Sequence, residues 1–151
     1  MSNIDLILTD SIHEDFQRLS SELEKELYLR DGDQADINFD LNKIDYLQNV
    51  ILLFKDDEAV ACGGFREYDP KTAEIKRMYV MFSHRRNNLA STILTELESL
   101  AKSQLYKYAV LETGKNQPEA ISFYSKHGYS QIENFGKYKN SINSVCFRKR
   151  I

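Results

Sequence analysis

The chain has no apolar run near the ~20 residues needed to cross a bilayer. Its two cysteines, Cys62 and Cys146, stand in apolar, strand-like runs without metal-ligand spacing, which fits buried free thiols in a reducing compartment. The three histidines, His13, His84 and His127, do not assemble anything like a zinc site, and no metal is expected. There is no Gly-rich run ending in Lys-Ser/Thr, so a nucleotide-binding phosphate loop of that kind is disfavoured. Charge of neither sign dominates: 20 Lys and Arg against 23 Asp and Glu give a formal net charge of -3. Nucleic acid and anionic membrane are therefore not expected as main partners. The start, Met1-Ser2-Asn3-Ile4-Asp5, lacks a signal peptide's basic and apolar stretches, and a cytoplasmic location is expected. Repeats, low-complexity tracts and interdomain linkers are missing too. What is present, 151 residues with 42% hydrophobic and 28% charged content, suffices for one domain with a substantial core spanning residues 1–151.

The chain is organised around residues 72–103. Thr72–Val80 interleaves Ile75, Tyr79 and Val80 with polar residues, as a half-buried strand does. Strand alternation would set Glu74, Lys76 and Met78 on one face and Ile75, Arg77 and Tyr79 on the other. From Leu89 the period changes, and Leu89, Ile93, Leu94, Leu97, Leu100 and Ala101 share one helical face. The polar loop between them, Ser83-His84-Arg85-Arg86-Asn87-Asn88, joins a strand end to the positive end of a helix dipole. It is a candidate anion cradle.

Elsewhere the patterns are simpler. Residues 4–8 form a short apolar run, expected as a first strand. Ser11 with Glu14 has the capping-box spacing, followed by Ile12, Phe16, Leu19, Leu23 and Leu27 along one helical face. Residues 30–40, with Gly32 and four aspartates, read as a mobile connection. Strands are expected at 50–54 and 59–65 around a turn at 55–58, with Gly63-Gly64 marking a bulge or a close backbone approach. Asp69-Pro70-Lys71 makes the next turn. A strand at 108–113 leads to Pro118 at the first position of a helix, which Gly128 ends. The basic tail closes with a strand at 144–149, read as an edge strand protected by charge.

Two segments carry a resemblance. Arg85-Arg86-Asn87-Asn88-Leu89-Ala90 is similar to the Arg/Gln-x-x-Gly-x-Gly/Ala loop of the GNAT N-acetyltransferase superfamily, with Arg86 and Asn88 standing where glycines are usual. The run from Leu111 through Asn116, Ala120 and Tyr124 to Gly128-Tyr129 resembles the family's second core motif more closely. The resemblance covers roughly residues 50–151, with 1–49 only compatible. It implies a single α/β (α+β) domain whose mixed, mostly antiparallel sheet is splayed at a cofactor cleft near Val80 and Leu111, with helices on both faces. Residues 1–49 would then supply an N-terminal strand, a helix and a substrate-side segment, and residues 50–151 the acetyl-CoA-binding core and closing strands.

The resemblance also implies roles. Acetyl-CoA would be the acyl-donor cosubstrate, held by backbone groups at Met78, Tyr79 and Val80 and by Arg85, Arg86, Asn87, Asn88, Leu89 and Ala90. Asn116 would contact the pantetheine arm or cap a helix. Tyr124 would face the sulfur as acid or hydrogen-bond donor; its alternative is core packing. Glu74 is the first base candidate, its alternative being an ordinary polar strand residue paired with Lys76 or Arg77, and Glu112 is the second. The expected activity is N-acetylation of a primary amine, on a small molecule or a peptide, by direct attack in a ternary complex within a monomer or homodimer. The alternative is a non-catalytic acyl-CoA-binding or regulatory module of the same fold.

Overall fold

The computed structural model describes residues 3–31 and 45–151; the connection expected at 30–40 lies, past Asp31, outside the described residues. Among the described residues, seven strands form one sheet: β1 (Ile4–Thr9), β2 (Asn49–Lys55), β3 (Glu58–Asp69), β4 (Thr72–Val80), β5 (Tyr108–Gly114), β6 (Ser130–Ile132) and β7 (Ser144–Arg150). Their order across the sheet is β1-β2-β3-β4-β5-β7-β6, antiparallel everywhere except β4 beside β5. Helices α1 (Glu14–Asp31), α2 (Leu89–Ser103) and α3 (Pro118–Lys126) pack on it.

Strand alternation divides the core in two. Val50 and Leu52 pack with Phe16 and Leu19 of α1, whereas Ile51 and Leu53 join Ile93, Leu94 and Leu97 of α2 on the opposite side. The hairpin between β2 and β3 turns at Asp56 (φ 49°) and Asp57 (φ 70°), the two positive angles of a tight two-residue loop. At the turn into β4, the Lys71 amide donates to Asp69 Oδ1 at 2.8 Å.

The β3–β4 ladder slips between Cys62 and Gly64, and on β4 the extra residue falls where Arg77 takes φ 61°. This corrects the simple alternation. Ile75, Met78 and Val80 all pack toward α2, while Arg77 turns to α1 and donates to Glu24 Oε1 at 2.6 Å and to the Ser20 carbonyl at 3.2 Å. Gly63 stands opposite the bulge. A Cβ there would lie 2.6 Å from Met78 Sδ and 2.8 Å from Ile93 Cγ2, so the glycine expected at a bulge or a close approach serves both.

Three further expectations are corrected. β7 is an interior strand, pairing with β5 along seven residues and with β6 on its other side, so its charges protect no edge. They are used instead: Lys149 Nζ donates to Glu98 of α2 at 3.0 Å, and the Arg148 guanidinium stacks 3.8 Å over the Tyr108 ring. The edge strand on that side is β6, whose three residues carry too little pattern to be read. Ser11 does not cap α1; its Oγ accepts the Leu47 amide at 2.9 Å, and the Asp15 amide donates to His13 Nδ1. Ile12 consequently lies outside the helix and is 68% exposed.

Helix α3 ends as its sequence requires. Gly128 takes φ 90°, its amide donates to the Ser125 carbonyl, and the Tyr129 amide reaches back to the Tyr124 carbonyl at 3.0 Å. This paired closure is accompanied by an edge-on contact between the Tyr124 and Tyr129 rings, 5.7 Å between centroids. Cys62 and Cys146 are both buried free thiols. Among the described residues no helix is long and apolar enough to cross a membrane, and no group of three or more His, Cys, Asp or Glu is placed to hold a metal.

Candidate active site

β4 and β5 pair through only three residues each, Thr72–Glu74 against Tyr108–Val110, and then part. Both strands continue, so beyond Glu74 and Val110 their facing backbone groups are free of each other. The opening is a cavity of about 650 Å³. Its walls are the far half of β4, the loop into α2, the end of β5, the inner face of α3, and Leu23, Glu26, Leu27 and Arg30 of α1.

The loop end presents unpaired backbone donors at a helix start. Asn88 precedes α2 with φ 61° and ψ 20°, and its side chain makes no capping hydrogen bond. The first amides of α2, at Leu89, Ala90 and Ser91, have no acceptor within the helix, and these three residues line the cavity. Arg86 also has positive φ, 67°. The two places where glycines are usual are thus both left-handed, which Asn tolerates better than Arg. Arg85 is held elsewhere: its Nε donates to the Val80 carbonyl at 2.9 Å and its two terminal nitrogens clasp Glu26 of α1, each at 2.8 Å. That clasp pins the start of the loop to α1.

Tyr124 enters from α3. Its ring packs edge-on against Phe123 and Tyr129 and lies 6.5 Å from Phe147, while the residue also lines the cavity. Burial alone pushes its phenol pKa up, and its hydroxyl has no hydrogen-bond partner among the described residues. Across the cavity mouth, Glu74 is 1% exposed. Arg66 Nε donates to one of its oxygens at 3.0 Å, and Lys76 Nζ lies 3.9 Å from the other. Arg66 also pairs with Asp45. Glu112 sits on β5, accepting from Ser144 Oγ at 2.6 Å; burial raises its carboxyl pKa against that hydrogen bond and the charges of Lys76 and Lys137.

Of the residues singled out in the sequence, Glu74, Glu112, Tyr124, Met78, Tyr79, Val80, Arg85, Arg86, Asn88, Leu89 and Ala90 line this one cavity. Asn87 and Asn116 do not. Both are exposed in turns, with Asn87 Nδ2 donating to the His84 carbonyl. The lining residue beside Asn116 is Gln117, buried and accepting from Arg30 at 2.8 Å. Sequence reasoning missed Lys137 and Tyr138, which reach the cavity from a short 3-10 turn, Gly136–Tyr138, between β6 and β7. It also missed the contact of Ser91 Oγ with His127 Nε2 at 2.8 Å. The basic, aromatic stretch around Tyr138 was the available signal, but which way it folds depends on the unread β6.

The acetyltransferase (GNAT) family matches residues 9–129, and the chain belongs to this family. The uncharacterized N-acetyltransferase YsnE of Bacillus subtilis (strain 168) is 32% identical over 97 residues, 63% of this chain and 64% of that protein. An IAA acetyltransferase of Azospirillum brasilense is 29% identical over 91 residues, 60% of either chain. The chain thus spans less than two thirds of these relatives' length. A crystal structure from Klebsiella pneumoniae subsp. pneumoniae MGH 78578 superposes with a TM-score of 0.79 at 26% identity, covering 99% of this chain and 97% of its own. A GNAT family acetyltransferase from Elizabethkingia anophelis with acetyl-CoA bound shares the fold at a TM-score of 0.66 and 15% identity, covering 99% of both chains.

Proposed function

We propose that this chain transfers the acetyl group of acetyl-CoA to a primary amine by direct attack, with both substrates held together in the cleft. The observation that carries the reading is the convergence of three features on one cavity: open amides at the start of α2, splayed strands, and Tyr124 on the wall with no partner for its hydroxyl among the described residues. Acetyl-CoA would supply the thioester, whose C–S bond breaks as the C–N bond forms. The amides of Leu89, Ala90 and Ser91, with Arg86 beside them, are the groups fitted to its phosphates. Backbone groups of β4 from Met78 to Val80 on the side that has parted from β5, apart from the Val80 carbonyl that Arg85 holds, are fitted to its amide-bearing arm and to the carbonyl, being fixed before the reaction.

A proton must leave the amine and one must reach the sulfur. Glu112 suits the first task better than Glu74. Glu74 would have to exchange its bond with Arg66 for the proton, whereas burial already raises the proton affinity of Glu112. Tyr124 is the donor to the departing thiolate. A base acts only when deprotonated, so kcat/KM should climb with pH through a value above the ordinary carboxylate 4.5, because the shift is upward. Glu112→Gln should remove that acid-side limb and lower kcat by about 10²-fold, measured as thiol release across pH.

The alternative, a non-catalytic acyl-CoA-binding module, is favoured by one feature, the left-handed Arg86 and Asn88 in the loop. Calorimetry with acetyl-CoA and a thiol-release assay over an amine panel separate the two. Binding without turnover of any amine favours the module; turnover of one amine excludes it. The same loop yields a paired expectation. Asn88→Gly should leave acetyl-CoA affinity equal or tighter. Arg86→Gly should relieve about 1 kcal/mol of left-handed strain, raising the urea midpoint, while weakening acetyl-CoA binding through lost charge.

A further inference from the structure

Among the described residues, the end of the cleft near Glu74 and Glu112 holds more cation than its carboxylates pair. Three basic residues meet there: Arg66 and Lys76 on neighbouring strands β3 and β4, and Lys137 on the turn before β7. Arg66 is satisfied twice, by Glu74 and Asp45. Lys76 is not. Its side chain is 16% exposed, and among the described residues its ammonium makes no hydrogen bond, only the 3.9 Å approach to a Glu74 oxygen whose carboxylate already serves Arg66. Lys137 has no ion pair among the described residues and lies 5.5 Å over the Tyr138 ring. The remaining carboxylate nearby, Glu112, is occupied by Ser144. Burial lowers the Lys76 pKa, opposed by Glu74 and reinforced by Lys137 and Arg66, as expected of an ammonium short of partners.

Lys76, Lys137, Glu112 and Tyr138 all line the same cavity. Lys76 stands four residues before Val80, so the pair of lysines sits roughly 10–13 Å along β4 from the phosphate end of the loop. They are therefore poorly placed for the phosphates. An ammonium that offers three donors inside a cavity, without a dedicated acceptor, is costly unless a ligand supplies the acceptor.

We infer that the acceptor is an amine that also carries a carboxylate, with the carboxylate held by Lys76 and Lys137 and the amine turned toward Glu112. This rests on the acetyl-transfer reading above and names its substrate class. The two lysines serve a second purpose in it. A positive neighbour disfavours the ammonium form of the bound amine, and the nitrogen must be neutral to attack. The incoming ammonium gives one proton to Glu112, which returns it to solvent; the C–N bond then forms as the C–S bond breaks, Tyr124 protonates the departing sulfur, and the second proton shed by the nitrogen restores Tyr124. A simple diamine would instead bring a second cation against Lys76 and Lys137.

The test is a thiol-release assay with acetyl-CoA on matched triplets: an amino acid, its carboxamide and its decarboxylated amine, over several side chains. The expected result is a kcat/KM for the best amino acid about 10²-fold above those of its two counterparts, since a site with unpaired charged groups rejects the analogue that cannot pair them. Lys76→Met and, separately, the exposed Lys137→Met should raise the amino acid's KM and shrink that preference, with acetyl-CoA affinity by calorimetry unchanged. Lys137 guards the conclusion if Lys76→Met does not fold. Amines or amides accepted as well as the amino acids overturn this inference while leaving acetyl transfer standing. No turnover with any member removes the acetyl-transfer reading, and this inference falls with it.

Discussion

Tyr124→Phe is expected to lower kcat by about 10²-fold, the usual loss when a positioned proton donor is removed, with acetyl-CoA affinity unchanged. The substitution is clean because the ring's position does not depend on the hydroxyl. Tyr124 is fixed by the helix closure at Gly128, by Phe123 at 5.1 Å and Tyr129 at 5.7 Å, and Phe keeps all of these contacts. The same argument gives an expectation for stability. A hydroxyl that faces the cavity without a protein partner contributes little to the fold, so its removal should change stability by less than about 1 kcal/mol. In a chain of this size that is a shift of Tm below roughly 2–4 °C. A slower but equally stable enzyme separates a functional hydroxyl from a packing one. Unchanged kcat would leave Tyr124 as a core aromatic and nothing more.

How much of this was legible beforehand follows from which forces are local. The helix 89–103, the loop before it, the Pro118 start and the Gly128 stop each depend on spacing and backbone preference within a few residues, and each stands where the sequence put it. The tight turn at Asp56-Asp57 is of the same kind. Pairing between distant charges is not written in spacing. Nothing around Arg85 marks Glu26 as its partner, 59 residues away, and, although Lys76 two residues on was a readable neighbour for Glu74, nothing there marks Arg66 on the adjacent strand. The bulge at Arg77 also escaped, although Gly63-Gly64 announced an irregularity on the partner strand. The sequence marked the place, but not that β4 would take up the extra residue, and so the faces of Arg77 and Met78 were exchanged. β6 was lost because three residues have no usable period, and with it went the interior placement of β7 and the route by which Lys137 and Tyr138 reach the cavity.

That bulge is where stability and site geometry meet, and Gly63→Ala should be a damaging change in the core. The added methyl would sit 2.6 Å from Met78 Sδ, 2.8 Å from Ile93 Cγ2 and 2.9 Å from Leu97 Cδ1. Two of these neighbours cannot retreat easily, because Ile93 and Leu97 are fully buried on α2, whereas Met78 is half-buried and has the cavity beside it. Overpacking of this kind costs about 1–3 kcal/mol, which predicts a loss of roughly 2–12 °C in Tm. The consequence for the cleft is larger than the energy suggests. The protein relieves the clash by lifting α2 off the sheet or by pushing Met78 outward. Lifting α2 moves the amides of Leu89, Ala90 and Ser91, and shifting Met78 disturbs the strand facing Tyr124. Either movement should weaken acetyl-CoA binding in calorimetry even at temperatures where the variant is fully folded. Met78→Ala added to Gly63→Ala clears the shortest contact, and the pair should recover part of the lost Tm. If Gly63→Ala melts with the parent and binds acetyl-CoA equally well, then α2 is not seated against the sheet at this glycine, and the link from the bulge to the loop is broken.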